Sequence, residues 1–150
     1  MENGFTELER GAWGGFLGAY GQINRLIEED LQSHSRISHV EFEVLLRLHW
    51  EPNHRLRIQD LADRSILTRS GVSRMVDRLV KAGLVVREGA TEDKRGAYAV
   101  ITEAGLERLN TAMVAHIVLV RKIFLAHFTE EELQQLTEFW KRLEETNVEK

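Results

Sequence analysis

The sequence predicts a mainly α-helical chain with one small β-hairpin, and three observations predict it. Proline occurs only at Pro52, so helix interiors carry almost no breakers. Apolar residues recur at helical spacing through several long stretches. Two short runs of strand formers, Leu84-Val85-Val86-Arg87 and Ala97 to Ile101, flank a charged segment with glycines, Glu88 to Gly96, which reads as a hairpin.

The composition bounds the chain further. At 150 residues with 43% hydrophobic content, it is long enough and apolar enough to bury a core. The absence of cysteine excludes disulfides, thiolate metal sites and thiol redox switches. No stretch reads as the roughly 18 to 20 apolar residues that span a bilayer. Met1-Glu2-Asn3-Gly4 lacks the basic-then-apolar order of a signal peptide. A soluble, cytoplasmic protein without membrane contact is the expectation.

The elements follow in order. A first long helix is predicted over about 7–33, with Leu8, Ala12, Phe16, Ala19, Ile23, Ile27 and Leu31 on one side. Gly11, Gly14, Gly15, Gly18 and Gly21 each cost such a helix about 1 kcal/mol. They leave two readings open, close approach by another helix or ligand and a frayed N-terminus. Ser38-His39-Val40-Glu41 is a capping box. It opens a helix from Val40 to Trp50 whose buried side is expected to hold Val44, Leu45, Leu48 and His49. Glu51-Pro52-Asn53-His54 reads as a turn. Ile58, Leu61, Ala62 and Ile66 mark the next short helix, for which Arg57 is a poor cap. Thr68 is a good N-cap for a helix to Ala82, in which Val72, Met75, Val76, Leu79 and Val80 make a full amphipathic stripe. Gly83 supplies a left-handed C-cap. After the hairpin, Thr102 opens a helix to about Phe128, and Thr129-Glu130-Glu131-Glu132 caps the last one.

A short helix, a turn, a second helix and a charged hairpin form the pattern of a winged helix-turn-helix. Its charge is uneven. Between Arg57 and Gly96 stand nine Lys/Arg and six Asp/Glu, a local +3, while the remainder carries −7. A basic segment in an acidic chain is an electrostatic footprint aimed at one surface. The polar face of the second helix carries Arg69, Ser70, Ser73, Arg74, Asp77, Arg78 and Lys81. Arginine suits bidentate contact to guanine, and serine serves several bases. Ser70, Ser73 and Arg74 near the helix start suit a major groove. Arg78 and Lys81 suit the sugar-phosphate backbone, and Asp77 is expected to orient an arginine. Taken alone, the same helix also reads as an ordinary solvated face. The flanking elements favour the DNA reading.

Three runs then identify a resemblance: Ile58-Gln59-Asp60-Leu61-Ala62, the stretch from Ser70 to Val85, and Asp93-Lys94-Arg95 followed by Ile101-Thr102-Glu103-Ala104-Gly105. On these the chain resembles the MarR (multiple antibiotic resistance regulator) family of winged-helix repressors, over nearly its whole length. The resemblance implies one domain over 1–150, with a winged helix-turn-helix core at about 38–102 and a helical dimerisation lobe from about 7–33 and 103–147. It also implies a homodimer on double-stranded DNA, probing a minor groove with Arg95, with Asp93 and Lys94 beside it on the wing. The long helices, apolar on one side, independently call for a second copy. Gly89, Gly96 and Arg57 depart from the usual pattern. The wing is therefore expected to be more flexible than in relatives, and the start of the short helix is left open.

The resemblance further implies a small anionic or aromatic effector held near Trp13, Phe16, Tyr20, His39, Phe42 and His49, with Trp50 close by. Trp13 is also similar to a tryptophan of urate-type members, with Asp60, Asp63 and Arg64 as charged partners. Core or interface packing is the other reading of these aromatics. The six histidines show no metal-ligand spacing, and His116 reads as a packing residue. No cofactor, metal or catalytic constellation is expected. The alternative function is a winged-helix module for protein-protein interaction.

Overall fold

The computed structural model describes residues 4–63, 69–89 and 96–147, with the backbone alone at 69 and 147. Expectations on Arg64, Thr68, Asp93, Lys94, Arg95 and the Arg69 side chain lie outside the described residues. The chain is mostly helical, in the order α1 (Glu7–Ser35), α2 (His39–Trp50), a 3-10 turn (Pro52–His54), β1 (Arg55–Arg57), α3 (Ile58–Asp63), α4 (Arg69–Lys81), β2 (Val85–Gly89), β3 (Ala97–Ile101), α5 (Glu103–Ile123), a second 3-10 turn (Leu125–His127) and α6 (Glu130–Asn147).

It divides into two compact units, a winged-helix unit of Leu26–His116 and a helical unit of Met1–Arg25 with Ile117–Lys150. Among the described residues, every buried apolar side chain lies in the winged-helix unit, from Ile27 and Leu31 to Leu109 and Ala112. Its largest fully buried side chains include Phe42, Leu45, Leu48, Leu61 and Leu79. In the helical unit Leu8, Trp13, Phe16, Leu17, Tyr20, Val118, Phe139 and Trp140 are all exposed.

Helix starts follow the sequence closely because caps are local. Ser38 Oγ accepts from the Glu41 amide, and the Ser38 amide donates to Glu41 Oε2 at 2.8 Å. Thr129 and Glu132 repeat the arrangement at the start of α6. An unforeseen third box, Thr6 with Glu9, opens α1. These contacts hold the exposed Glu9 carboxyl below its usual range, the Thr6 backbone bond first.

Several expectations are corrected. β1 was not expected, since the sequence assigned no element to Arg55–Arg57. It is the third strand of an antiparallel sheet in the order β1-β3-β2, with Leu56 opposite Ala99 and Arg57 opposite Tyr98. Asn53 and His54, at φ of 60° and 53°, turn the chain into it. Arg57 thus ends β1 and directly precedes Ile58, the first residue of α3. His49 is exposed instead of buried, stacked on His54 at 5.3 Å. Val80 is 36% exposed, so the buried stripe of α4 is Val72, Val76 and Leu79. The helix expected to reach Phe128 stops at Ile123, where Phe124 leaves helical geometry. Finally, the stretch Glu103–His127 is long and apolar enough to cross a membrane by length and composition, with a mean hydropathy of 1.5. This overturns the expectation that no stretch is long and apolar enough to span a bilayer. Part of the apolar content of Glu103–His127 is committed to the winged-helix core through Leu109 and Ala112.

Candidate nucleic-acid interface

The α4 helix is fixed on one side by Val72, Val76 and Leu79, at most 1% exposed. That burial turns Ser70, Arg74, Asp77, Arg78 and Lys81 outward, with Ser73 half-buried at the edge. The C-terminal end is closed by a Schellman turn. Gly83 sits at φ +72°, and the Leu84 and Gly83 amides donate to Leu79 O and Val80 O at 2.9 and 3.0 Å.

The start of α5 grips this same end. Thr102 Oγ1 donates to Gly83 O at 2.7 Å, and its amide donates to Leu84 O at 3.0 Å. The Gly105 amide in turn donates to Thr102 Oγ1. A Cβ at Gly105 would collide with Leu84 O and lie 2.7 Å from Ile101 Cγ1, so backbone packing requires glycine here.

The predicted DNA-facing residues are placed as follows. Arg74 folds along the helix, its Nε donating to Ser70 O at 3.3 Å. Asp77 does orient an arginine, Arg87 of β2, at 2.8 Å. The same Nη2 of Arg87 donates to Ser73 O at 3.2 Å and to Ser73 Oγ at 3.1 Å. Arg78 Nη2 lies 3.0 Å from Glu41 Oε1, so the carboxylate that caps α2 also holds an α4 arginine. Lys81 is exposed on the last turn.

Sequence reasoning missed Arg87. The available signal was strand alternation. Arg87 shares a face with the buried Val85 and so points at α4, where Ser73 and Asp77 are one turn apart. On the other face of the sheet, Arg55 and Arg57 lie 4.1 and 5.4 Å from the Tyr98 ring centroid. Arg57 Nε donates to Tyr98 Oη at 3.0 Å, and Arg55 pairs loosely with Glu88 at 3.5 Å.

The expected effector residues fall in both units. In the helical unit, Phe16 neighbours Trp13, Tyr20 and Trp140 at centroid distances of 5.8 to 6.2 Å. Trp13, Phe16, Phe139, Trp140 and Leu143 line an open apolar groove of about 860 Å³. In the winged-helix unit, Phe42 is buried and packs on His116 at 4.8 Å. The His39 amide donates to Glu28 at 2.7 Å. His116 Nδ1 is buried and has no hydrogen-bond partner among the described residues. Desolvation first, and the nearby His39 second, hold this imidazole below its usual pKa, against an opposing pull from Asp30. Among the described residues no group of three or more His, Asp or Glu is placed to hold a metal.

Comparison with known proteins agrees with this geometry. The model of the MarR family matches residues 37–96. The chain is 29% identical over 125 residues to the transcriptional regulator MhqR of Bacillus subtilis, covering 83% of each chain. Among solved structures, Sco3205 of Streptomyces coelicolor, a MarR family transcriptional regulator solved in complex with DNA, is 31% identical with a TM-score of 0.91, covering 96% of this chain and 91% of that one. AbsC, another MarR family regulator of Streptomyces coelicolor, is 30% identical with a TM-score of 0.92 over 99% of both chains. These relatives are transcriptional regulators rather than enzymes. Sharing their fold end to end, the chain belongs to the MarR family of DNA-binding transcriptional regulators.

Proposed function

We propose that the chain is a homodimeric repressor that binds a pseudo-palindromic operator and releases it on binding a small aromatic or anionic ligand. The observation that carries the DNA half is the facing of α4, with Ser70 and Arg74 outward at its N-terminal end and Val72, Val76 and Leu79 inward. In this reading Arg69, Ser70, Ser73 and Arg74 meet bases in the major groove, and Arg78 and Lys81 meet phosphates. Asp93, Lys94 and Arg95 act from the wing, with Arg95 in the minor groove. The compartment of action is the cytoplasm, where a bacterial-type operator is accessible.

Dimerisation is supported by the helical unit, whose Leu8, Leu17, Ile117 and Val118 are 42 to 83% exposed. Apolar surface on this scale, in a unit where no described apolar side chain is fully buried, fits a second copy of the chain better than solvent. The effector reading rests on Trp13 and Phe16, which line the groove of the helical unit, with Tyr20 stacked beside Phe16; His39, Phe42 and His49 are the residues it assigns within the winged-helix unit. The groove volume lies within the range of small-molecule sites.

Selection of duplexes from a random pool, repeated with aromatic acids present, tests the whole reading. Two half-sites about one helical turn apart are expected, with retention lost when an effector is added. A single asymmetric half-site bound by a sedimenting monomer would overturn the dimer. Unchanged retention across aromatic acids, together with unquenched Trp13 and Trp140 fluorescence, would overturn the effector.

A further inference from the structure

We propose that Arg87, a residue of the wing strand, sets the base preference of α4 by fixing the hydrogen-bond polarity of Ser73. The inference rests on α4 being the groove-reading helix.

A serine hydroxyl has one proton to give and two lone pairs to receive with. Facing an unconstrained hydroxyl, a base edge can be either acceptor or donor. Ser73 is constrained. Arg87 Nη2 donates to Ser73 Oγ at 3.1 Å and to Ser73 O at 3.2 Å. The guanidinium stays protonated throughout the usable pH range, so the roles cannot reverse. Asp77 Oδ1, 2.8 Å from the same nitrogen, keeps the guanidinium in place. One Oγ lone pair is thus committed, and the other sits on an oxygen already bound to a cation. The proton is what Ser73 has left to offer beyond the chain.

The consequence is chemical selectivity. Guanine presents N7 and O6, adenine N7 and thymine O4 as acceptors in the major groove, whereas cytosine presents an amino donor. Ser73 held by Arg87 therefore accepts guanine, adenine or thymine at its position and disfavours cytosine. Arg87 touches no base in this scheme. It is a positioning residue, acting through the hydroxyl it binds.

The test uses the full-length protein and a duplex selected by the wild type, with all four bases substituted at each position and affinity measured by fluorescence anisotropy at several salt concentrations. At one symmetric pair of positions the wild type should bind the cytosine variant on the order of tenfold more weakly. Arg87→Ala should bring that ratio to about two or less, leaving the profile elsewhere and the salt slope unchanged. Ser73→Ala should do the same, and the double variant should add nothing further. Arg87→Lys, which keeps a donor, should restore part of the discrimination. Asp77→Ala loosens the arginine without touching Ser73 and should give an intermediate ratio, an independent reading if Arg87→Ala folds poorly.

A uniform loss of affinity in Arg87→Ala with a shallower salt slope would make Arg87 a phosphate contact and overturn the proposal. Cytosine discrimination that survives Ser73→Ala would overturn it as well. Arg74→Ala separates this failure from failure of the underlying reading. If it changes preference at some position while Arg87→Ala changes none, only the Ser73 polarity is wrong. If neither alters any preference, α4 is not the reading helix.

Discussion

Arg78 of α4 and Glu41 at the start of α2 meet at 3.0 Å, although 37 positions separate them in the sequence. Glu41 is largely buried while Arg78 is well exposed. The carboxylate is fixed by its bond to the Ser38 amide, while the guanidinium that it holds stays open to solvent. An arginine in this setting can trade a carboxylate for a phosphate when DNA arrives.

Two effects should separate in variants. Arg78→Ala is expected to lower the salt slope of DNA binding by about 1, as for any lost phosphate contact. It should also cost on the order of 1 kcal/mol of stability, the upper end for an exposed pair, because Glu41 is largely buried although Arg78 is not. Lys81→Ala should lower the slope alone. Anisotropy titrations at several salt concentrations and urea denaturation measure the two quantities. A slope unchanged in Arg78→Ala would assign Arg78 to Glu41 only.

Gly105→Ala should be among the most damaging single-methyl additions in the chain. The new Cβ would collide with Leu84 O and crowd Ile101 Cγ1. The Thr102–Gly83 and Thr102–Leu84 bonds hold the backbone against a shift. Overpacking of this kind costs about 3 kcal/mol, read as a lower urea midpoint. A midpoint within error of wild type would show that the joint gives way.

His116 gives the winged-helix unit a pH dependence of definite sign. Burial, with His39 adding to it and Asp30 opposing, depresses its folded pKa. In the unfolded chain it returns to about 6.5. The unfolded state then binds more protons between the two values, so stability rises with pH through that window. The contribution is fully present above about 6.5 and is lost as pH falls through the folded value. Urea midpoints at pH 7.5 and 5.0 should therefore differ, and His116→Phe, which keeps a ring against Phe42, should shrink the difference. An identical pH profile in that variant would place the dependence elsewhere.

Ser38→Ala removes one half of the box that starts α2. The loss should be about 1 kcal/mol. It should exceed that for Thr6→Ala, because the Thr6 box is solvent-exposed whereas that of Ser38 is part-buried. Thermal or urea melts of the two single variants compare them directly, and equal losses would remove burial as the cause.

What the sequence made legible was local or periodic. Ser38 with Glu41 and Thr129 with Glu132 announce helix starts within four residues. The spacing of Val72, Val76 and Leu79 identifies the buried side of α4, and Gly83 marks its end. Most of what it concealed was set by distant partners. Arg55-Leu56-Arg57 is too short to show alternation, and becomes a strand only because β3, some forty residues on, pairs with it. Arg87 looked like one charge in a charged hairpin until the strand register aimed it at Ser73 and Asp77. His49 has the spacing of a core residue, yet α2 ends beside an exposed turn where His54 stacks on it.

The joint between Gly83, Leu84, Thr102 and Gly105 holds α4 at its heel, whereas Ser70, Ser73 and Arg74 stand at its toe. Substitutions at the toe alter no buried contact, and substitutions at the heel alter no residue proposed to meet a base. The protein can thus acquire a new DNA vocabulary by drift at a few outward positions while its grammar, the angle at which the helix is presented, stays fixed.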